Sequence, residues 1–340
     1  MIKTAVVILN WNGKHFLEKF LPSLLKYSST DGVEVIIADN ASTDDSISFL
    51  NANFPGLRLL ILDKNYGFTG GYNRALAQIE AKYYVLINSD IEVTPDWLNP
   101  LTELLDSDSQ IAACQPKIKS YHKKDSFEYA GASGGFIDKY GYPFCRGRIL
   151  NNVETDTGQY DDVKEVFWAT GACIAVRADL FQKMGGLDDD FFAHMEEIDL
   201  CWRLKNLGYK IMVNPKSTVY HVGGGTLPNN SPFKLYLNFR NNLFLLYKNL
   251  PQDKLYIILF FRLILDGISG FMFLVKLSFS SFKAVLKAHV DFYKSIKTLK
   301  EKRYKLKSIK QENDSSGIYP KSIVFSYFIQ SKKKFSDLLF

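Results

Sequence analysis

The sequence contains few cysteines and no long apolar segment near its N-terminus. Its 340 residues include four cysteines, no two of them closer than 28 positions: Cys114, Cys145, Cys173 and Cys201. This spacing excludes a metal clip of close cysteine pairs and gives no sign of a disulfide scaffold. The first apolar run, residues 5–9, ends at Asn10, so we interpret it as a buried strand and not as a signal peptide. We therefore expect reduced thiols and a cytoplasmic protein.

The composition is that of a globular protein with unevenly distributed charge. Apolar residues make up 46% and charged residues 23% of the chain, which suffices for a buried core, and the formal net charge is +6. Residues 276–310 hold eleven Lys and Arg against two acidic residues, so this segment carries the whole positive excess. A basic tail on a near-neutral or acidic body indicates contact with an anionic surface, either a membrane or a nucleic acid.

Short apolar runs alternate with helical segments through the first 90 residues. The runs lie at 4–10, 33–38, 57–62 and 83–88, and the helical segments at 14–27, 43–53 and 71–81. Strands that alternate with helices of this length are typical of βαβ units. The sequence therefore predicts an α/β fold with a doubly wound, mainly parallel sheet.

Polar residues follow each of these four predicted strands. Any one of them alone would most often be a turn or cap residue. In a parallel sheet, however, ligands bind beyond the carboxyl ends of the strands, so four such ends predict a polar rim around a ligand site. The rim residues are Asn10, Asn12, Asp39, Asn40, Asp63, Asn65, Gly67, Asn88 and Asp90.

Residues 119–165 break the alternation, and we expect irregular substrate-side loops there with one or two short strands. Small residues follow Trp168. The small side chains of the segment Thr170-Gly171-Ala172 would let its backbone approach a ligand closely. Close packing of a strand on a helix would explain these small residues equally well. Around this region the pattern predicts strands at 111–118, 166–168, 210–214 and 219–221, and helices at 178–184, 194–207 and 232–249.

Asp90 and His221 each follow a short apolar strand. A carboxylate at the carboxyl end of a strand can bind a divalent cation that in turn holds two phosphates. His221 precedes three glycines at 223–225, which let a ligand approach the backbone. A strand-terminal Asp or a single His is more often a structural residue. The pair predicts a metal site only if the fold brings the two strand ends together.

Six acidic residues fall within twelve positions that contain no Lys or Arg. The dipole of a helix N-terminus explains one or two of them, so the others need a cation, a sugar with many hydroxyls or a general base. On the predicted helix, Glu196 and Asp199 share a face with Arg203, while Glu197 points away and is freer to contact an acceptor. The cluster is Asp188, Asp189, Asp190, Glu196, Glu197 and Asp199.

Taken in order, these segments resemble the family 2 glycosyltransferases, an inverting group with the GT-A fold, and in particular their rhamnosyltransferase-like branch. The resemblance covers about residues 1–250; each segment is weakly informative alone, but the ordered set is specific. Two positions depart from the family: the two-Asp metal motif reads Asn88-Ser89-Asp90, and the usual Glu-Asp pair reads Glu196-Glu197. The segments are VVILNWNG, DNASTD, NYGF, NSD, TGA, GLD with FF, EEIDL and His221.

The resemblance implies a donor site built from the rim residues. Asn10 and Asn12 would lie beside the nucleotide. Asp39 would hold the base or the ribose, and Asp63 would contact the nucleobase. The other candidate donor-binding residues are Asn40, Asn65, Gly67, Asn88 and Gly171.

The resemblance also implies a metal and a catalytic base. Asp90, helped by His221, would bind Mg²⁺ or Mn²⁺ under the diphosphate. The base falls in the acidic pair at the head of a helix, and we prefer Glu197. Glu196 and Asp199 are the other candidate catalytic residues.

The expected function is transfer of a sugar, with inversion, from a nucleotide-diphosphate sugar to a glycan or lipid-linked acceptor in cell-surface polysaccharide synthesis. The donor would be dTDP-rhamnose-like or a UDP-hexose. A nucleotidyltransferase is an alternative, but it would more often have a Gly-rich Arg/Lys loop after the first strand, where only Lys14 occurs. A catalytically inactive sugar-binding module is the non-enzymatic alternative, and it would be expected to lack Asp90 or the glutamate pair.

Residues 251–340 are predicted to be a helical, basic extension of a catalytic domain at 1–250. Residues 255–275 are long enough to span a bilayer, but Arg262 and Asp266 offset their apolar neighbours on the insertion scale. We therefore expect an in-plane amphipathic anchor on anionic lipid, at the inner face of the cell membrane. The alternative is a helical subdomain packed on the catalytic domain or on a second copy in a homo-oligomer. No nucleic-acid partner is expected, since nothing resembles a base-reading module.

Overall fold

The computed structural model describes residues 2–223, 231–308 and 314–340. In chain order the strands are β1 Ile2–Asn10, β2 Val33–Asp39, β3 Arg58–Ile61, β4 Ala81–Ile87, β5 Ile91–Val93, β6 Ile111–Ser120, β7 Gly135–Asp138, β8 Pro143–Cys145, β9 Arg148–Ile149, β10 Asn152–Val153, β11 Lys164–Val166, β12 Cys173–Arg177, β13 Lys210–His221 and β14 Ile318–Tyr319. The helices are α1 Lys14–Tyr27, α2 Ser46–Asn53, α3 Gly67–Leu76, α4 Asn99–Ser107, α5 Ala178–Lys183, α6 Glu196–Lys205, α7 Pro232–Asn249, α8 Gln252–Val275, α9 Phe279–Lys307 and α10 Ile323–Phe328.

The larger sheet has nine strands and forms the centre of the molecule. Its order is β11-β13-β6-β12-β4-β1-β2-β3, with β5 paired to the end of β13. Strands β3, β2, β1 and β4 are parallel to one another, and β6 is parallel to β13. Strand β12 runs antiparallel between β4 and β6, so the sheet is mixed. The predicted α/β class is confirmed, and the predicted parallel order holds for the four N-terminal strands.

Successive residues of β1 face opposite layers of helices. Val6 and Ile8 belong to the buried cluster formed with α1, α2 and α4. Ala5 and Val7 belong to the cluster formed with α3, α5, α6 and α7. A strand that is buried on both faces explains why its sequence is a continuous apolar run and does not alternate. The first polar side chain after such a run therefore lies at the carboxyl edge of the sheet.

A second sheet of five strands takes four of them from the segment predicted to be irregular. Its order is β10-β9-β8-β7-β14, and each strand has only two to four residues. The prediction of one or two short strands was too low, because runs of this length show no alternating pattern. Strand β14 lies about 180 residues beyond β7, so its pairing leaves no local signal. Likewise β13 is one strand with a register shift between Asn214 and Thr218, where two strands were predicted.

The C-terminal helices pack onto the same body as the sheet. Leu255 of α8 and Tyr319 of β14 belong to the buried cluster that contains Val7. Pro251 separates α7 from α8, so an element boundary lies where the sequence divides at residue 250. The division into two domains stays a prediction, and the contacts show that the extension shares the core.

We expect Tyr319→Ala to lower the free energy of unfolding by about 3–5 kcal/mol, because this side chain is fully buried beside Phe144 and Phe340. Tyr319→Phe is the matched control. It removes only the contact of the hydroxyl with Ser326 Oγ at 3.2 Å and should cost about 1 kcal/mol. Denaturant unfolding followed by tryptophan fluorescence measures both. A loss below about 1 kcal/mol for Tyr319→Ala would show that the second sheet does not depend on β14.

Candidate active site

Asn10 and Asp39 form a buried polar cluster at the ends of β1 and β2. The parallel register places them opposite each other, and Asn10 Nδ2 donates to Asp39 Oδ2 at 2.9 Å and to Ser42 Oγ at 3.1 Å. Asp39 Oδ1 accepts the Ser42 N–H at 2.8 Å. Both carboxylate oxygens are thus bonded within the protein, while the buried Asn10 Oδ1 has no hydrogen-bond partner among the described residues. Asn10 therefore offers the free acceptor of this cluster.

Asn12 joins the loop after β1 to the loop after β2. Its backbone is left-handed, with φ 52°. Its side-chain Oδ1 accepts the N–H groups of Thr43 at 2.7 Å and Asp44 at 3.2 Å. Asn12 therefore fixes the shape of the rim, whatever further contact it makes with a nucleotide.

Asn40 joins the loops after β2 and β3 in the same way. Its Nδ2 donates to Asn65 Oδ1 and to Gly67 O, both at 3.0 Å. Gly67 has φ 70°, and a Cβ there would lie 2.6 Å from the ring of Phe192. Only glycine fits this close approach, which links the rim to the chain segment that precedes α6.

Asp63 lies at the exposed outer end of the rim. Its Oδ1 accepts the Tyr66 hydroxyl at 2.8 Å, and this hydrogen bond holds the pKa of Asp63 below its usual value. The guanidinium of Arg74 lies 3.6 Å from the centre of the Tyr66 ring. A carboxylate beside a stacked aromatic ring could contact a nucleobase, and that role for Asp63 stays a prediction.

Gly171 lies between the end of β4 and the first turn of α6. The Asn88 N–H donates to Ala172 O at 3.0 Å, which places this segment beside the strand end. A Cβ on Gly171 would lie 3.7 Å from Glu196 Oε1, so a side chain would occupy the space in front of that carboxylate. One short backbone segment therefore contacts both the rim and the acids of α6.

Asp90 and His221 meet because β5 pairs antiparallel with the end of β13. Asp90 Oδ1 lies 3.2 Å from His221 Nε2, and both side chains are buried. The Gly223 N–H donates to Asp90 Oδ2 at 3.2 Å. The other two glycines that follow His221 and were predicted to let a ligand approach the backbone, at 224 and 225, lie outside the described residues. The two strand ends that the metal prediction required to meet are therefore adjacent.

A second carboxylate lies on the far side of the His221 imidazole. Glu128 Oε2 is 3.5 Å from His221 Nδ1. Burial alone would lower the pKa of His221, but hydrogen bonding and the charges of Asp90 and Glu128 raise it to about 10. Burial alone would raise the pKa of Asp90, but His221 holds it below its usual value. Sequence reasoning missed Glu128, because it lies at no predicted strand end.

This donor set fits one divalent cation. A carboxylate oxygen and an imidazole nitrogen can both bind such an ion, and its binding would release the Nε2 proton that the neighbouring carboxylates hold on His221. Glu128 would then accept the Nδ1 proton, so that Nε2 of His221 faces the ion. Across residues 2–223, 231–308 and 314–340, no group of three or more His, Cys, Asp or Glu has metal-binding geometry. The protein would therefore supply two ligands, and the diphosphate of a substrate would have to supply others.

Glu196 and Glu197 begin helix α6 as a pair of carboxylates. Glu196 is buried, Glu197 is partly exposed, and the Oε2 of each has no partner among the described residues. Burial and the charge of Glu197 raise the pKa of Glu196 well above its usual range. Burial raises the pKa of Glu197 to about 7, against backbone N–H groups that include that of Gly171. Burial thus favours the neutral form of both carboxyl groups, and the charge of Glu197 favours it further at Glu196, so Glu197 is the stronger candidate for the ionised base.

Asp199 is fully buried in a network of cations. Its Oδ2 accepts Arg203 Nε at 2.8 Å, and its Oδ1 lies 2.9 Å from both Lys248 Nζ and Asn249 Nδ2. The predicted contact of Asp199 with Arg203 is confirmed. Glu196 does not share it, since no ion pair involves Glu196 within the described part of the chain. The saturated carboxylate of Asp199 suits a residue that positions α6.

Lysines from the C-terminal helices neutralise the rest of the acidic cluster. Lys248 of α7 and Lys302 of α9 both contact Asp188, and Lys302 Nζ also lies 2.6 Å from Asp190. The cation that the cluster was expected to need is therefore supplied by the chain itself for these residues. Lys302 was counted among the tail cations for an anionic surface, and this ion pairing makes it unavailable for that purpose.

A clamp on α7 holds the strained segment before the glutamates. Left-handed φ values of 65°, 68° and 72° occur at Phe192, His194 and Met195. The Nδ2 of Asn241 lies 2.7–2.9 Å from the carbonyl oxygens of Phe191, Ala193 and His194. Asn241 thus fixes the entry into α6. Sequence reasoning missed it, because a polar residue in an amphipathic helix does not reveal what it bonds.

Comparison with known proteins agrees with this geometry. Residues 5–185, more than half of the chain, match the model of glycosyl transferase family 2. The chain belongs to glycosyl transferase family 2. This match supports a glycosyltransferase and excludes the nucleotidyltransferase alternative.

Curated relatives confirm the likeness to the rhamnosyltransferase-like branch. N-acetylglucosaminyl-diphospho-decaprenol L-rhamnosyltransferase of Mycobacterium tuberculosis is 26% identical over 234 residues, which cover 64% of this chain and 75% of the relative. Rhamnosyltransferase WbbL of Escherichia coli is 24% identical over 229 residues, which cover 64% of this chain and 82% of WbbL.

A solved structure confirms the fold. The mannosyltransferase PcManGT from Pyrobaculum calidifontis, in complex with GDP-Man and Mn²⁺, superposes with a TM-score of 0.52 at 13% identity and covers 90% of this chain and 85% of its own. At this identity the likeness concerns the fold alone. The family glycosyltransferase has the predicted GT-A fold with a C-terminal helical region.

We expect Glu197→Gln to lower kcat by about 10²–10⁴-fold without changing donor affinity, because an amide cannot accept the proton of the acceptor hydroxyl. Glu196→Gln should keep kcat within about tenfold of wild type, since burial and the charge of Glu197 favour the neutral form of Glu196, which glutamine resembles. Steady-state kinetics measures kcat, and calorimetry measures donor affinity. Glu103→Gln, on the exposed side of α4, is the matched control.

The pH profile distinguishes the two glutamates further. A base acts only when ionised, so kcat should fall as the pH falls through about 7, the pKa of Glu197. Glu196→Gln should leave this acid limb in place. If Glu197→Gln is active and Glu196→Gln is not, the assignment is reversed. If both variants are active, the base lies elsewhere, and Asp188, Asp189 and Asp190 become the candidates.

Proposed function

We propose that this glycosyltransferase is metal-dependent and inverting, and that it uses a nucleotide-diphosphate sugar as donor. This proposal is supported by the way the backbone connects the Asp90–His221 pair to the Glu196–Glu197 pair. Asp90 of the first pair follows Asn88 by two residues in the chain. The Asn88 N–H donates to the 170–172 segment, which faces the glutamates. A cation site and an ionisable base thus border the same polar rim, as a single displacement at a sugar diphosphate requires.

The residues of this chain would divide the reaction between them. Asp90 and His221 would hold the cation, which stabilises the negative charge of the leaving diphosphate when it is bound. Asn10 and the loops that Asn12 and Asn40 hold would position the nucleotide. Glu197 would take the proton of the acceptor hydroxyl while that oxygen attacks the anomeric carbon from the side opposite the diphosphate, which inverts the configuration.

The donor and the acceptor are proposed from the relatives. The names of the two curated rhamnosyltransferases support a dTDP-rhamnose-like donor, with a UDP-hexose as the alternative. The name of the Mycobacterium tuberculosis relative includes a lipid diphosphate that carries a sugar. We therefore propose a lipid-linked or glycan acceptor in cell-surface polysaccharide synthesis. An inactive sugar-binding module is disfavoured, because Asp90 and both glutamates are present.

Asp90→Ala should abolish transfer and donor hydrolysis, with a loss of at least about 100-fold, because the diphosphate then lacks its cation. EDTA should have the same effect, reversed by Mg²⁺ or Mn²⁺. Hydrolysis of a panel of nucleotide sugars measures both effects and identifies the donor. Asp31→Ala, at an exposed loop position, is the control, and thermal unfolding checks that both variants fold. Full activity in EDTA would overturn the metal proposal.

We further propose that residues 251–340 attach the catalytic part to a membrane surface, through α8. By length and composition this helix could cross a membrane: its most apolar window has a mean hydropathy of 2.0 and is 22% buried. Core helices of soluble proteins pass the same test, so the orientation of the side chains of α8 must distinguish a core helix from a membrane-binding one. From Leu255 onward the exposed side chains of α8 are aliphatic or aromatic and include Ile257, Phe260, Phe261, Ile264, Ile268, Phe271 and Met272.

Between Leu255 and Val275 the two charged residues of α8, Arg262 and Asp266, face the protein, whereas Asp253 and Lys254 in its first turn are exposed. Arg262 Nε donates to Asp266 Oδ1 at 2.9 Å, and the Arg262 guanidinium lies 3.6 Å from the centre of the Tyr142 ring. Asp266 Oδ2 also lies 3.3 Å from His289 Nε2 on α9. A spanning orientation would break these contacts, whereas an in-plane orientation keeps them and offers lipid only the apolar face. This arrangement supports the predicted in-plane anchor at the cytoplasmic face.

Ile268→Asp should weaken binding to anionic vesicles by at least about tenfold, because it removes buried apolar area and adds a repelled charge. Ile61→Asp is the matched control: Ile61 is 61% exposed, Ile268 is 53% exposed, and Ile61 lies on the edge strand β3 and not on α8. Liposome flotation measures binding. Equal binding by both variants would rule out α8 as the anchor. Resistance of the wild type to carbonate extraction would argue for a span, and self-association lost in Ile268→Asp for a homo-oligomer contact.

A further inference from the structure

A groove between α7 and the start of α9 lies outside the donor and metal sites. Its volume is about 510 Å³, within the ~300–1,000 Å³ range typical of small-molecule sites. Phe192, Phe233, Tyr236 and Leu237 line one side of it. Phe192 and Phe233 are 42% and 46% exposed, so two large apolar rings face an open groove. Such a surface favours an apolar ligand over water.

Cations lie along the rim of this groove. Lys287 pairs with Asp291, and its Nζ also lies 4.4 Å from the centre of the Tyr236 ring. Arg240 Nη2 donates to two neutral backbone carbonyls, so its charge is not compensated there. Lys283 is exposed, and no carboxylate of the described residues lies within ion-pair distance of it. The rim therefore keeps a positive excess beside an apolar floor.

One end of the groove reaches the chain segment that leads to the catalytic glutamates. The Phe192 carbonyl accepts the N–H groups of Phe68 and Thr69 at the start of α3. Phe192 also contacts Gly67 of the donor rim, and Glu196 follows it after three residues. A ligand lying against Phe192 is therefore next to the segment that Asn241 clamps.

The start of α9 borders the groove as well. The groove includes Ser280, in the first turn of α9. Leu277 and Phe279, directly before it, are 76% and 59% exposed and continue the apolar surface of α8. The groove is therefore lined both by the start of α9, close in the chain to these exposed apolar residues, and by the segment that leads to the glutamates.

We propose that this groove binds the acceptor as an isoprenoid-type lipid diphosphate. The lipid chain would lie against Phe233 and Leu237, and the diphosphate would lie against Lys283 and Lys287 at the rim. A long apolar chain with an anionic head matches the apolar side and the cationic rim of the groove. This assignment rests on the proposed function, which requires a lipid-linked acceptor. A second copy of the chain is a poorer match, since a stable contact needs roughly 800 Å² per partner.

The test uses farnesyl diphosphate as the probe, with the full chain in EDTA so that the diphosphate cannot bind through a metal at Asp90. Wild-type protein should bind it, by calorimetry, at least about tenfold more tightly than inorganic diphosphate. Lys283→Glu should weaken binding by about tenfold or more, because the rim then repels the head. Lys183→Glu, an exposed charge reversal on α5, should bind as wild type does.

A second pair of variants tests the apolar side. Phe233→Ala should weaken farnesyl diphosphate binding about fivefold or more, whereas Phe328→Ala, exposed on α10, should not. Absence of binding to wild type, or equal binding by Lys283→Glu and Lys183→Glu, would overturn the groove assignment. So would loss of self-association in Lys283→Glu when the probe does not bind, which would indicate a second copy.

Donor hydrolysis separates this proposal from the proposed function. With Mg²⁺ or Mn²⁺ and water as acceptor, Lys283→Glu and Phe233→Ala should hydrolyse the nucleotide sugar at the wild-type rate, since neither touches the donor rim. If no nucleotide sugar is hydrolysed by wild type, the proposed function fails. If hydrolysis is normal and farnesyl diphosphate binding does not respond to the groove variants, only the groove assignment fails.

Discussion

A buried ammonium group makes the acidic side of the active site possible. The side chain of Lys248 is 2% exposed, contacts Asp188, and lies 2.9 Å from Asp199. Two buried carboxylates this close would repel each other strongly without a cation between them. Lys248 lies seven residues after Asn241, two turns along α7 and on the same face of that helix. One helix face therefore neutralises the acids of α6 and clamps the strained segment before them.

The donor rim could be predicted from the sequence, because its signal is local. Each polar residue follows an apolar strand, and the parallel register brings the strand ends together at one edge of the sheet, as the Asn10–Asp39 pair shows. The Asp90–His221 pair needed one further fact, the pairing of β5 with β13. Glu128 and Lys248 could not be found in this way. Their partners lie far away in the sequence, and a Glu in a loop or a Lys in a helix has no pattern that names its partner.

The charges of the C-terminal region show a related limit. A sum over residues 255–275 counts Arg262 and Asp266 against membrane binding, because it cannot distinguish the two faces of a helix. In the structure both charges bond to each other on the inner face, so the outer face is apolar. The cations of the tail also divide into inward-facing and exposed ones. Lys302 pairs with the acidic cluster, and Arg303 Nη1 donates to Tyr247 O at 2.7 Å. Lys294 and Lys297 are exposed.

The pairing of β7 with β14 sets an order for events on the ribosome. Strand β7 emerges about 180 residues before its parallel partner. At a synthesis rate of roughly 5–20 residues per second, its edge stays unpaired for about 10–40 s. During this interval the larger sheet can already close, while the smaller one exposes an edge that other chains could pair with. A chain that stalls after α9 would thus present a nearly complete transferase core with an open, aggregation-prone strand.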